Sequence, residues 1–139
     1  MEISILTNYQ LIVIIIMVMQ MENKQISSKE QVENFLLELK HIINDKRFNI
    51  NEDFDILLKK KNETDDDAYT TKNTLIQLNY DKNDIIRNLK ELKISEYIGT
   101  LTDVKNVYSP QFWVFIKRIN LKQVYIKVKI RSIQNRKIF

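Results

Sequence analysis

Residues 122–131, Lys-Gln-Val-Tyr-Ile-Lys-Val-Lys-Ile-Arg, alternate apolar and polar side chains with a period of two. This period is typical of a half-buried β-strand, because successive side chains point to opposite faces of a sheet. One predicted face is aliphatic and consists of Val124, Ile126, Val128 and Ile130. The other face has a phenol and three cations, and no carboxylate from the strand itself: Tyr125, Lys127, Lys129 and Arg131. Such a face suits a polyanion; the alternative is a solvated edge strand protected by lysines.

The basic residues concentrate at the C-terminal end of the sequence. Residues 104–139 contain nine Lys and Arg residues and no Asp or Glu, whereas residues 1–103 hold the other 13 basic residues against all 18 acidic ones. The C-terminal part therefore carries +9 and the remainder −5, within a net charge of +4. This segregation predicts that the partner is RNA, DNA or an acidic protein.

The composition excludes several kinds of site. The chain has 139 residues, enough for one domain, and it contains no cysteine and a single histidine, His41. It therefore has no disulfide, no thiolate metal site, no cysteine nucleophile and no multi-histidine metal site. The absence of cysteine fits a reducing compartment, and we expect a cytoplasmic protein without metal or cofactor. The C-terminal strands lack the carboxylates that a two-metal nuclease needs.

The N-terminus is unusually apolar, with nine consecutive apolar residues at Leu11–Met19. A membrane span needs about 20 residues, and no basic residue or cleavage site of a signal peptide flanks this run. Three interpretations remain: an atypical membrane anchor, a β-rich segment that packs somewhere, or sequence upstream of the true start. The last is favoured, since Met21 is an alternative start just before ordinary domain sequence. We therefore expect an extension over residues 1–22, one domain over 23–139, and no association with a membrane.

The middle of the chain predicts a short series of helices. Ser27 or Ser28 caps the first helix, with Glu30 or Gln31 completing a capping box. Its apolar face at helical spacing comprises Val32, Phe35, Leu36, Leu39, Ile42 and Ile43. A second helix over Thr70–Leu78 is predicted to bury Leu75, Ile76 and Leu78. After a turn at Asn79-Tyr80, Asp81 caps a third helix, whose apolar stripe comprises Ile85, Ile86, Leu89 and Leu92.

The strands are predicted around and after these helices. A short strand is expected near residues 56–58, and Glu96–Ser109 is expected to be a polar connection. An aromatic strand at Phe112–Ile116 then forms a hairpin with residues 122–131. A three-residue loop would place Trp113 and Lys117 on the face of Tyr125, whereas a two-residue loop at 120–121 would place Trp113 with Val124 and Ile126. A turn at Ser132–Asn135 and a strand from Arg136 complete the prediction.

Several segments together resemble the MqsR-type toxins of bacterial toxin–antitoxin pairs. The hairpin carries the likeness in Phe112-Trp113-Val114-Phe115-Ile116-Lys117 followed by Gln123-Val124-Tyr125-Ile126-Lys127. The helical block contributes Asn73-Thr74-Leu75, Asn79-Tyr80, Ile85 and Ser95-Glu96-Tyr97, and the first helix contributes Phe35 and Leu39. The resemblance covers roughly residues 30–139.

This resemblance implies a RelE-like α+β fold, a twisted antiparallel sheet with helices packed on one face. It also implies a metal-independent endoribonuclease that cleaves single-stranded mRNA and is silenced by a cognate antitoxin. The family's sheet tyrosine falls on Tyr125, the lysine two residues later on Lys127, and the tryptophan before the hairpin on Trp113. The chain departs from the family type at Ile98 and Val114, which replace a catalytic lysine and a glutamine. The closer relatives implied by the resemblance continue past Phe139 with another strand, so a truncated or frame-disrupted copy is the expectation.

Cleavage of RNA without metal needs a group that moves the proton of the 2′-hydroxyl and cations that stabilise the phosphate. The candidate catalytic residues are Tyr125, Lys127 and Lys117. The candidate RNA-binding residues are Arg118, Lys129, Arg131, Lys105 and Trp113. Two alternatives remain open: a non-catalytic basic module that docks structured RNA or an acidic partner, and a degenerate toxin that still binds its antitoxin.

Overall fold

The computed structural model describes residues 7–16, 24–56, 71–102 and 108–134. Its helices are α1 Lys29–Asn44, α2 Thr71–Leu78 and α3 Lys82–Lys90, and a 3-10 turn follows at Ile94–Glu96. Its strands are β1 Thr7–Ile16, β2 Lys24–Gln25, β3 Phe54–Ile56, β4 Tyr97–Leu101, β5 Phe112–Ile119 and β6 Lys122–Gln134. The six strands form one sheet in the order β2-β4-β5-β6-β1-β3.

The predicted α+β class is confirmed, but the sheet is mixed rather than purely antiparallel. β2, β4, β5, β6 and β1 pair with their neighbours in antiparallel fashion, whereas β3 runs parallel to β1. The chain between β1 and β3 contains α1, and parallel neighbours need a crossover connection of this kind. The expectation of a wholly antiparallel sheet is therefore wrong at this one pairing.

The β5–β6 hairpin turns through two residues, Asn120 and Leu121. Both have positive φ, 51° and 67°, as the two central residues of a type I′ hairpin turn require. Ile119 pairs with Lys122 directly across the turn. Of the two registers that the sequence leaves open, the structure has the two-residue loop. Directly paired residues share a face, so Trp113 lies with Val128 and Lys117 with Val124.

The helices pack on one face of the sheet, called here the helix face. Ser28 caps α1 and forms the predicted capping box with Gln31. All six predicted apolar residues of α1 are buried, and they join one core with the aliphatic residues of β6. This agreement follows from local chemistry, because the cap and the 3.6-residue period fix which side of the helix meets the sheet. His41 is exposed.

The second and third helices confirm the prediction with one exception. Asp81 caps α3 through a capping box with Asp84, and Leu75, Leu78, Ile85, Leu89 and Leu92 are buried. The prediction that Ile76 is buried is wrong, since 66% of this residue is exposed. At 100° per residue, Thr74 lies beside Leu78 and Ile76 points to the opposite side, so the fully buried Thr74 occupies the inward position.

Two predictions about irregular segments are wrong. The expected connection Glu96–Ser109 contains β4 at Tyr97–Leu101, which pairs with β5 through an irregularity between Tyr97 and Gly99. The turn expected from Ser132 lies within β6 up to Gln134, because β1 continues the pairing there. The strand expected at 56–58 is seen as Phe54–Ile56. The strand expected from Arg136 lies outside the described residues.

The apolar N-terminal segment forms β1, between β6 and β3. It pairs with β6 from Thr7 to Ile16, and Leu11, Val13 and Ile15 belong to the core. Of the three interpretations of this segment, the structure agrees with a β-rich segment that packs against the rest of the chain. By contrast, the sequence alone favours a domain that begins at residue 23. Burial on this interior strand accounts for the apolar character of Leu11, Val13, Ile14 and Ile15. No described helix has the length and apolar character to cross a membrane.

Candidate functional site

The sheet face that turns away from the helices carries the predicted row of cations and is called here the second face. β6 contributes Gln123, Tyr125, Lys127, Lys129 and Arg131, in the alternation that the sequence predicts. β5 adds Val114, Ile116 and Arg118, which pair with Lys127, Tyr125 and Gln123. β1 adds Gln10, Ile12 and Ile14, which pair with Arg131, Lys129 and Lys127. β6 is thus an interior strand of the sheet and not an edge strand protected by lysines.

The two lysines in the middle of the second face are buried. Lys127 is 9% exposed and Lys129 is 8% exposed, and the residues that pair with Lys127 on the two neighbouring strands, Val114 and Ile14, are buried as well. Their ammonium nitrogens lie 5.0 and 4.3 Å from the centre of the Phe112 ring. Lys129 also donates a hydrogen bond of 3.0 Å to the Ser109 hydroxyl. A desolvated cation over an aromatic ring gains about 2 kcal/mol, which offsets part of the cost of burial.

Tyr125 lies at the hairpin end of the second face and is half-buried. Its hydroxyl oxygen accepts a hydrogen bond of 3.2 Å from Nε2 of Gln123. Arg118 is exposed and pairs with Gln123 across the hairpin. Because of this pairing, Arg118 is a diagonal neighbour of Tyr125, at a spacing that a long side chain can span. We call Arg118, Gln123 and Tyr125 the hairpin cluster. It brings together a phenol, an amide and a guanidinium.

The structure does not bring Lys117 or Trp113 together with Tyr125. The two-residue turn places both on the helix face. There, Nζ of Lys117 donates to Oε2 of Glu96 at 3.2 Å in a partly buried ion pair. The Trp113 ring stacks on Phe35 with a centroid distance of 4.7 Å and an angle of 13°. Lys117 and Tyr125 therefore cannot contact the same phosphate from one face of the sheet.

The far end of the second face contains an acid that the sequence analysis missed. Arg131 donates a hydrogen bond from Nη2 to Oε1 of Gln10. Nε2 of Gln10 donates in turn to Oδ2 of Asp55 at 2.5 Å. Asp55 belongs to β3 and Gln10 to β1, so this chain of side chains crosses three strands. No local pattern indicates the contact, because Gln10 and Arg131 are 121 residues apart.

Of the predicted site residues, the second face holds Arg118, Tyr125, Lys127, Lys129 and Arg131, and the helix face holds Lys117 and Trp113. Lys105 lies outside the described residues. Within the described ranges, no group of three or more His, Asp or Glu side chains is placed to hold a metal ion.

No family model, curated protein or solved structure matches the chain. The chemistry of the site therefore rests on its own side chains. The hairpin cluster can bind an anionic oxygen through Arg118 and exchange a proton at the Tyr125 hydroxyl.

Proposed function

We propose that this chain is the toxin of a type II toxin–antitoxin pair, a RelE-like, metal-independent endoribonuclease that acts on single-stranded mRNA in the cytoplasm. The observation that carries the proposal is the hairpin cluster, an accessible phenol beside an exposed guanidinium on a cationic sheet face. The segregation of nine basic residues into residues 104–139 supports a polyanionic substrate. A cognate antitoxin is the proposed protein partner.

In the proposed reaction, the 2′-oxygen of a ribose attacks the adjacent phosphorus while the bond from phosphorus to the 5′-oxygen breaks. The proton leaves the 2′-hydroxyl and a proton reaches the departing 5′-oxygen, so the products are a 2′,3′-cyclic phosphate and a 5′-hydroxyl. Tyr125 exchanges one of these protons and solvent water exchanges the other, and Gln123 orients the Tyr125 hydroxyl through their hydrogen bond. Arg118 binds the non-bridging oxygens, on which charge develops.

The test is cleavage of an end-labelled single-stranded RNA in the presence of a chelator, with detection of the cyclic phosphate. Tyr125→Phe keeps the ring and removes only the ionisable hydroxyl, and should lower the cleavage rate by about 10²–10⁴-fold while RNA affinity is retained. Tyr80→Phe is the matched control, because its hydroxyl accepts from Asn88 between α2 and α3, away from the second face. Cleavage that survives in Tyr125→Phe would move the chemistry to other residues.

A specific observation favours a second candidate, a non-catalytic RNA-binding module or degenerate toxin that binds its antitoxin. Of the three candidate catalytic residues, Lys127 is buried beside Phe112 and Lys117 is paired with Glu96, so Tyr125 alone has an accessible functional group among them. RNA binding by the unaltered chain without the cyclic phosphate product would select the module. Binding of the antitoxin without binding of RNA would select the degenerate toxin.

A further inference from the structure

A cleft of about 340 Å³ lies on the helix side of the sheet, where the first half of α1 approaches the start of β5 and the distal part of β6. Its volume is at the lower end of the range of ligand sites in proteins. The lining residues that matter here come from two places, α1 and the start of β5: Gln31, Asn34, Phe35, Glu38, Gln111 and Trp113. The cleft is separate from the hairpin cluster, which lies on the opposite face.

One wall of the cleft is aromatic and fixed in place. Trp113 is stacked on buried Phe35, and the Tyr97 ring lies 6.1 Å away at an angle of 46°. These two contacts hold the indole, which is only half-buried and lines the cleft with its remaining surface. The wall therefore needs little rearrangement to stack against a flat ligand, which lowers the cost of binding.

The polar lining of the cleft contributes acceptors and one negative charge. Asn34 and Glu38 are four residues apart, which places them on one stripe of α1. Gln31 lies on the same stripe, but its carbonyl oxygen already accepts from the Ser28 backbone N–H in the capping box of α1. Gln111 donates through Nε2 to Thr102 at 3.0 Å, which leaves its carbonyl oxygen as an acceptor. Glu38 is the single ionisable side chain among the described residues that line the cleft. The cleft is therefore locally negative on a chain with a net charge of +4.

We infer that this cleft binds the guanidinium of an arginine side chain presented by a peptide segment of a protein partner. A guanidinium is planar, stacks on an indole and donates several hydrogen bonds in a fork. Trp113 offers the ring, Glu38 offers the carboxylate, and the side-chain carbonyls of Asn34 and Gln111 offer further acceptors. A lysine ammonium offers no flat surface to stack. A nucleotide would bring a phosphate to Glu38, with no Lys or Arg in the described lining to compensate. This inference does not depend on the proposed RNA cleavage.

The chain contains a single tryptophan, Trp113, so its fluorescence reports directly on the cleft. The probe is Nα-acetyl-arginine amide, titrated at low salt into the full chain. We expect a saturable change in tryptophan emission in the millimolar range, with weaker binding of the lysine analogue. The analogue of citrulline, which has the same shape without the charge, should bind at least about tenfold more weakly. Free arginine should bind no more tightly than the blocked form.

Glu38→Gln is the decisive variant, because it removes the charge from an exposed helical position and keeps the volume and helix propensity. It should weaken binding of the arginine probe by about tenfold or more. Glu33→Gln is the matched control on the same helix, exposed and outside the cleft lining, and should bind as the unaltered chain does. Circular dichroism of both variants checks that the helix content is unchanged.

Four results would overturn the inference. They are equal binding of the arginine and citrulline probes, unchanged binding in Glu38→Gln, tighter binding of guanosine than of the arginine probe, and absence of a fluorescence change. Tighter binding of free arginine than of the blocked form would replace the peptide by a free amino acid. RNA cleavage is measured separately at Tyr125, so failure of the cleft experiment leaves the proposed function untouched.

Discussion

The ammonium of Lys129 lies 4.3 Å from the centre of the Phe112 ring, on an interior part of the sheet where only 8% of the lysine is exposed. We expect this contact to contribute to stability, because a desolvated cation over an aromatic face gains more than a solvated one. A double-mutant cycle of Phe112→Leu and Lys129→Met should give a favourable coupling energy of about 2 kcal/mol in urea unfolding.

The control cycle pairs Phe112→Leu with Lys122→Met. Lys122 lies beside the hairpin turn, at the opposite end of β5 from Phe112, and faces the helix side through its pairing with Ile119. The two changes should therefore be additive. Equal coupling in both cycles would mean that Phe112→Leu acts through general loosening of the sheet and not through the lysine.

The place of β1 in the core predicts a large effect at Leu11. This residue is fully buried between its pairing partners Ile130 of β6 and Phe54 of β3. Leu11→Ala should lower the free energy of unfolding by about 2–5 kcal/mol, and Leu37→Ala, at a position 67% exposed on α1, should be nearly neutral.

A chain that starts at Met21 lacks β1 and should lose cooperative unfolding. A stable, folded protein from Met21 would restore the expectation that residues 1–22 lie outside the domain.

The sequence predicts what local chemistry decides. The capping boxes at Ser28 and Asp81 and the buried face of α1 follow from residues within one or two turns of helix. The alternation in β6 likewise needs only the period of a strand. Each of these features is determined by one contiguous stretch of the chain, so the sequence alone predicts it.

The remaining features depend on pairings that no local window contains. Lys127 lies on an interior strand because β1 pairs with β6, and its partner there, Ile14, is 113 positions earlier in the sequence. The side of the sheet that Lys117 faces depends on whether the hairpin turns through two or three residues, and Asn120-Leu121 lacks the glycine that would indicate a tight turn. β4 was missed because its pairing with β5, and not its composition, makes it a strand.

Leu121 is the residue in the turn that tolerates its backbone conformation least. Its φ of 67° is unfavourable for a residue with a β-carbon, and its side chain is 88% exposed, so little packing compensates. Leu121→Gly removes the steric conflict and should raise the free energy of unfolding by about 1 kcal/mol. Leu121→Ala is the control, since it shortens the side chain but keeps the β-carbon and should give no gain. A loss of stability in the glycine variant would show that the leucine side chain contributes to the fold.

The cap of α3 predicts a dependence of stability on pH. The Asp81 backbone N–H and the Arg87 guanidinium donate to the Asp84 carboxylate, and they lower its pKa from the ordinary 3.8. A carboxylate with a lower pKa in the folded state stabilises the fold above its unfolded pKa, and this contribution is lost as the pH falls through the folded value. Asp84→Asn should therefore be destabilising at pH 7 and progressively less so below about pH 4. Urea midpoints across this range measure the difference, and a constant difference would contradict the assignment.

The exposed arginines, and not the buried lysines, should control the salt dependence of RNA binding. Arg118 and Arg131 are exposed at the two ends of the second face, whereas Lys127 and Lys129 are buried beside Phe112. Each lost phosphate contact lowers the slope of log K against log salt by about 0.7 for a single strand. Arg118→Gln and Arg131→Gln should each flatten the slope by about this amount, while Lys127→Met should mainly lower stability.

Gln123→Ala serves as the control for Arg118→Gln, because it alters the same cross-strand pair without removing a charge. A slope that changes with Lys127 and not with either arginine would indicate that RNA binding opens the Phe112 region, and an affinity insensitive to salt would remove RNA from the proposed partners.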